Sequence, residues 1–259
     1  MKLSIIMAVY NSDKSVSQAI QSILNQTYSD FEFIIVDDGS TDHTNEIIKD
    51  FSNKDKRIKF LRNSTNIGLT RSLNNAIRQS KGEYIGRQDG DDISFPERFQ
   101  KQIDFLEINN DYAFCGCNGI IKQTSENLLK FFDINEIRKN LILENCFFHP
   151  SIVVRKNIFK LYGLYNEKFL YGQDYELWCR FIYKYNLKAK NLTEKLIIAS
   201  IPSVSLLEKK RNKILIQMKN DIITKWKYFK YSNNKLKGIK SIVILIIKII
   251  IITLFSSNK

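Results

Sequence analysis

Proline and glycine are scarce, at 3 and 10 residues. That excludes collagen-like repeats, proline-rich linkers and low-complexity chains. Cysteine is also sparse. Cys115, Cys117, Cys146 and Cys179 form no CxxC pair, which argues against a zinc ribbon or a disulfide framework and fits reduced thiols. Neither GxGxxG nor GxxxxGK[ST] occurs, so the main signals of a dinucleotide site and of a P-loop are missing. His43 and His149 are the two histidines, and neither has a Ser or Cys partner in the arrangement of a nucleophilic triad. No apolar run reaches the roughly 20 residues of a spanning helix. The longest, 242–255, has 12 apolar residues of 14 and is interrupted by Lys248 and Thr253. The run Leu3–Val9 is short and lacks a small-residue cleavage site, so it is not expected to be a signal peptide.

What remains is a chain of 259 residues with 44% hydrophobic and 26% charged residues, enough for one large domain or one domain plus an appendage. The charge is unevenly placed. Residues 205–259 carry 13 Lys or Arg against Glu208 and Asp221, so +11 of the net +13 lies there. The rest of the chain is nearly neutral, which argues against nucleic acid as a partner. The expected division is a body at 1–205 and a basic, apolar helical tail at 206–259.

The body reads as alternating strands and helices. Leu3–Val9 and 31–36 are nearly continuous apolar runs, the pattern of strands buried on both faces. Segments 57–61 and 83–87 are weaker candidates. Helical spacing appears over 15–24, 42–51 and Leu69–Gln79. Further on, Tyr112–Ile121 and 151–155 suit strands and 175–185 suits a helix. Strands separated by helices predict a mostly parallel sheet flanked by helices. Three strands run into polar clusters: Tyr10-Asn11, Asp37-Asp38-Gly39-Ser40 and Asp89-Gly90-Asp91-Asp92. Ligands of open parallel sheets bind outside the carboxyl ends of the strands, so the clusters should converge.

Each cluster has a plain and a chemical reading. Asp89, Asp91 and Asp92 could form a solvated acidic turn, or hold a hard divalent cation, Mn2+ or Mg2+, which prefers oxygen ligands. Ser40, Thr41 or Asp42 can cap a helix, but capping does not explain two acids after Val36. Asp37 or Asp38 could accept hydrogen bonds from a base or ribose. Asp174 could be a helix-start acid or a general base. A lone histidine such as His149 is more often structural.

These residues, in this order, resemble the inverting glycosyltransferase family 2 enzymes of GT-A (Rossmann-like) fold. The resemblance runs through LSIIMAVYN, FEFIIVDDGSTD, NIGLTRSLNNA, GEYIGRQDGDD, FFHPSIVVRK and GQDYELWCRF, covering about residues 1–200. It implies a nucleotide-sugar donor, with a lean to uridine, a divalent metal, and a saccharide or lipid-linked saccharide acceptor. It implies donor contacts at Tyr10, Asn11, Asp37, Asp38, Arg71 and Asp89, a metal ligand at Asp91, and a base at Asp174. Gln173 and His149 fall on the acceptor side. Two departures stand out. Gln173 occupies the place of a frequent Glu and cannot take a proton. The Tyr-Arg-x-His segment of many relatives is replaced by Ala199-Ser200-Ile201-Pro202-Ser203-Val204, which removes a histidine that can assist metal or phosphate binding.

The resulting expectation is a cytoplasmic sugar transferase for a bacterial surface polysaccharide, docked on the inner membrane face by its basic tail. The alternatives are a non-catalytic nucleotide-sugar-binding or membrane-peripheral scaffold protein, and a nucleotidyltransferase. The tail could instead pack on the body.

Overall fold

The computed structural model describes residues 1–130, 133–200, 211–232 and 234–254. Strands β1 (Leu3–Val9), β2 (Phe31–Asp37), β3 (Ile58–Arg62) and β4 (Tyr84–Arg87) alternate with helices α1 (Val16–Leu24), α2 (Thr44–Lys54) and α3 (Leu69–Gln79). All pairings among these four strands are parallel, in the order β3-β2-β1-β4. Then follow β5 (Ile93–Ser94), α4 (Arg98–Ile108), β6 (Tyr112–Ile121), β7 (Asn127–Leu128) and α5 (Ile134–Asn140). After a 3-10 turn at His149–Ser151 come β8 (Val153–Arg155), α6 (Lys156–Tyr162), α7 (Gln173–Cys179) and β9 (Lys188–Ala199). The sheet continues from β4 through β8, β6, β9 and β5. β8 is antiparallel to both its neighbours, and the long β6–β9 ladder is parallel. The result is an α/β fold with a mostly parallel sheet, as expected.

The two-faced burial of the first strands is direct. Leu3, Ile5, Met7 and Val9 join Phe33 and Ile35 against α1, α2 and α4. Ile6, Ala8, Ile34 and Val36 face the other way, toward Leu73, Ala76 and Ile77 of α3 and toward Trp178 of α7. Each such side chain contributes about 1.5–3 kcal/mol by leaving water. One polar exception is self-contained: Ser4 donates to Glu32 Oε1 at 2.6 Å and accepts from the Gly82 amide at 2.7 Å.

Several boundaries differ from the sequence-based ones by one or two residues, the usual uncertainty of element ends. The helix expected over 175–185 starts at Gln173 and becomes a π-helical turn at Arg180–Lys184. The tail holds helices α8 (Arg211–Tyr228) and α9 (Lys235–Leu254). The expected domain boundary at 205/206 lies outside the described residues, as do Ile201, Pro202, Ser203 and Val204.

α8 is packed on the body. Tyr228 is buried and donates to Glu176 Oε1 at 2.7 Å, and Lys225 Nζ donates to the Leu143 carbonyl at 2.6 Å. α9 is different. Ile242 is buried, but Leu236, Ile239, Val243, Ile247 and Ile250 are exposed. No helix among the described residues is long and apolar enough to cross a membrane.

Candidate active site

The carboxyl ends of β1 and β2 are tied together by side chains. Asn11, at φ 50°, lets its amide donate to Ser40 Oγ at 3.0 Å, and its Oδ1 accepts from the Thr41 amide at 2.9 Å. Gly39 has φ 75°, and a Cβ there would stand 2.6 Å from the Thr65 carbonyl carbon. Only glycine allows the chain to pass that close.

The two adjacent acids then diverge. Asp37 has no exposed surface; its Oδ1 accepts from the Ser40 amide at 2.9 Å and its Oδ2 lies 3.3 Å from Arg62 Nε. Through that bond Asp37 holds the turn that carries Ser40. Asp38 points to the segment after β3. Its Oδ1 accepts from Asn63 Nδ2 at 2.8 Å and the Ile67 amide at 3.0 Å, and its Oδ2 accepts from the Gly68 amide at 2.8 Å.

That segment forms one wall of a cavity of about 470 Å3. Tyr10, Asp38, Gly68 and Arg71 line one side, and Tyr171, Gln173 and Asp174 line the other. The structure thus brings together Tyr10, Asp38, Arg71, Gln173 and Asp174. Asn11, Asp37, Asp89, Asp91 and His149 are not among the lining residues. His149 is a buttress. Its Nε2 lies 2.8 Å from the Tyr165 hydroxyl, and its ring meets Tyr165 and Trp178 edge-on. Burial, reinforced by the Arg87 charge, holds its pKa well below the ordinary histidine value, so the ring is neutral.

Asp174 is half-buried and accepts from Asn145 Nδ2 at 2.7 Å. Burial raises its pKa above the ordinary carboxylate value, against the backbone amide of Tyr175 and Asn145. A carboxylate with raised pKa in a cleft is suited to accept a proton. Gln173 beside it is buried, and its Oε1 has no hydrogen-bond partner among the described residues.

The third cluster follows β4. Asp89, Asp91 and Asp92 each offer a carboxylate oxygen, all within 4.8 Å of one another. Asp91 is exposed, and Asp92 is buried with Oδ1 accepting from the Ser200 amide at 2.8 Å. Burial and then the Asp89 charge push Asp92 up to about 8, and the same causes raise Asp91. The cluster holds more negative charge than its surroundings neutralise. An all-oxygen donor set with that imbalance fits a hard divalent cation.

Sequence reasoning missed four participants. Arg87 is buried at the end of β4, and its Nη2 donates to Asp89 Oδ1 at 2.6 Å while Nε and Nη1 have no hydrogen-bond partner among the described residues. An arginine inside an otherwise buried strand was the available signal. Arg98 is fully buried and donates to Gln88 Oε1, Ser94 Oγ and the carbonyls of Arg87 and Pro150, so it braces the turn that carries the acids. Lys213 and Gln217 of α8 also line the cavity, so the tail is part of the site wall.

Comparison with known proteins places this chain. The family described as Glycosyl transferase family 2 matches residues 4–161, and the chain belongs to that family. An uncharacterized glycosyltransferase of Methanocaldococcus jannaschii, MJ1057, is 39% identical over 198 residues, covering 71% of this chain and 67% of that protein. The O-antigen biosynthesis glycosyltransferase WbnJ of Escherichia coli is 36% identical over 201 residues, covering 75% and 78%. Among solved structures, S. aureus TarS 1-349 in complex with UDP-GlcNAc superposes with a TM-score of 0.71 at 18% identity, over 95% of this chain and 72% of that one. The mannosyltransferase PcManGT of Pyrobaculum calidifontis, in complex with GDP-Man and Mn2+, gives 0.68 at 13% identity, over 93% and 73%. At those identities the structural likeness shows the fold alone.

Proposed function

We propose that this glycosyltransferase moves a sugar from a uridine-diphosphate donor to an acceptor hydroxyl with inversion, in the synthesis of a cell-surface polysaccharide. The observation that carries the reading is the cavity itself. It gathers Tyr10, Asp38, Arg71, Gln173 and Asp174 at the carboxyl end of β1, where Gly90 of the acidic turn lies against Val9, another lining residue. The O-antigen role of one relative and the UDP-GlcNAc bound to one structural neighbour support the substrate class.

In this reading Tyr10 flanks the base, and Asp38 keeps the segment 63–68 shaped for the donor. Asp91, with Asp89, would hold Mn2+ or Mg2+, the former being the ion in one neighbour. When bound, such an ion neutralises the charge of the departing diphosphate. Arg87 holds Asp89 in place by its 2.6 Å contact. Asp174, steered by Asn145, takes the proton from the attacking hydroxyl. One in-line displacement inverts the anomeric centre and needs no covalent intermediate.

We also infer that the chain is peripheral at the cytoplasmic membrane face. α8 is docked on the body, and we assign that role to α9, whose exposed isoleucines are interspersed with Lys237, Lys240 and Lys248. Basic and apolar residues together suit an anionic interface.

The test is product analysis. The full chain with Mn2+ and UDP-GlcNAc or UDP-glucose should release UDP, and a chelator should stop the release. Release of pyrophosphate would favour the nucleotidyltransferase alternative and sink the reading.

A further inference from the structure

The tail helix comes closer to the base than its distance in sequence suggests. α8 lies across the turn that opens α7. Asn220 Nδ2 donates to the Tyr171 carbonyl at 2.8 Å, and Lys213 Nζ stands 4.8 Å from the centre of the Tyr171 ring. Gly172 has φ 73°, and a Cβ on it would sit 3.0 Å from Asp221 Oδ1 and 3.9 Å from Gln217 Cγ. Residues 213, 217, 220 and 221 fall on one face of a helix, at spacings of three and four. Lys213 and Gln217 of that face line the cavity, and Asn220 and Asp221 lie against the Tyr171-Gly172 turn that leads into Gln173 and Asp174.

Asp221 is the acid on this face. Its carboxylate makes no hydrogen bond among the described residues, although it is half-buried. Its charged surroundings are Asp174 of α7, which repels it, and Lys225 of its own helix, which attracts it. A half-buried carboxyl placed beside another acid, without a protein donor, is destabilising unless a ligand supplies the donors. Burial and Asp174 push it up to about 7.

We propose that Asp221 is an acceptor-binding residue: its carboxylate, carried over Gly172 by α8, receives hydrogen bonds from hydroxyls of a saccharide acceptor whose reacting hydroxyl faces Asp174. It would supply the second acceptor-side acid in a chain where Gln173 carries no charge. Vicinal hydroxyls can both donate to one carboxylate, and bonds to a charged acceptor are the stronger kind. This inference rests on the reading of Asp174 as the base and assigns the acceptor's contact, which that reading left open.

The experiment uses the full chain, wild type and Asp221→Asn, with UDP and Mn2+ present and a mixed set of methyl glycosides as the probe. Saturation-transfer NMR reports glycoside contact, and calorimetry reports UDP affinity in both proteins. The expected result is a glycoside signal in wild type that weakens at least tenfold in Asp221→Asn, with UDP affinity within twofold. Wild-type glycoside binding should strengthen as pH rises through about 7, and the Asn variant should lose that dependence. A residue that only packs α8 would move the melting temperature and leave the pH dependence of binding intact. Equal glycoside signals in the two proteins, absence from both included, overturn the proposal. Failure of UDP to bind wild type overturns the donor reading instead, so the two failures are separable.

Discussion

Asp38→Asn separates shape from charge at the donor wall. The carboxylate accepts three bonds: Asn63 Nδ2 and the Ile67 amide on Oδ1, and the Gly68 amide on Oδ2. An amide side chain of the same size keeps one oxygen. With that oxygen toward Asn63 and Ile67, its NH2 faces the Gly68 amide, donor against donor. One charge-assisted bond is lost and a buried N–H is left unmet, about 2–3 kcal/mol together. For a chain of this size that is roughly 4–12 °C in melting temperature. The loss should also be local. Hydrogen exchange at the amides of Ile67 and Gly68 should accelerate more than exchange in β1 and β2, because both amides donate to this side chain. Nucleotide binding should weaken, since Gly68 and Arg71 line the cavity. A melting temperature within 1 °C of wild type, with unchanged exchange at both amides, would refute the assignment of Asp38 as the brace.

Three further outcomes follow from the same geometry. Asp174→Asn should lower kcat by about 10²–10⁴-fold, and in wild type activity should fall as pH drops through a value above the ordinary carboxylate range, because burial raises Asp174; near-normal turnover in the variant would put the base elsewhere. Asp92 is raised to about 8 in the folded chain, so its contribution to stability is full below about 4 and is lost as pH rises to about 8; Mg2+ or Mn2+ should therefore raise the melting temperature more at pH 8 than at pH 6, and an equal shift would count against cation binding at the cluster. A chain ending at residue 234 should stay folded and bind UDP while losing affinity for anionic liposomes by about 100-fold, since Lys235, Lys237 and Lys240 are worth roughly 1 kcal/mol each near such a surface; undiminished liposome binding would contradict the role of α9.

The readable part of the sequence is the part where one local pattern has one physical cause. β1 and β2 are buried on both faces, so their apolar runs are continuous, and α3 shows its core face in Leu73, Ala76 and Ile77. The strand ends carrying Asp38 and the acidic cluster were legible for the same reason. α4 was not found, because its inward face includes Arg98 and Gln102, polar residues whose partners lie at Gln88, Pro150 and Ser151. β9 was missed as well, since its lysines and glutamates hide a strand that alternates buried and exposed residues only in part. Arg87 gave a local hint, whereas Lys213 and Gln217 gave none. Their place at the cavity depends on Tyr228 meeting Glu176, a contact across 52 residues. For the same reason a chain cut at 206, which sequence alone would take as carrying every donor-side residue, would lose part of the cavity wall.

The central claim is that the cavity receives a nucleotide sugar with a divalent cation at Asp91. Thermal unfolding of the full chain with UDP-GlcNAc, UDP-glucose and GDP-mannose, each with Mn2+, tests it most directly. Ligand at about 100 times its dissociation constant adds about 2.7 kcal/mol of stability, or roughly 5–11 °C. Such a rise is expected for at least one uridine donor in wild type, and its loss with chelator or in Asp91→Asn. No rise with any of the three, or a rise that Asp91→Asn and chelator leave unchanged, would contradict it.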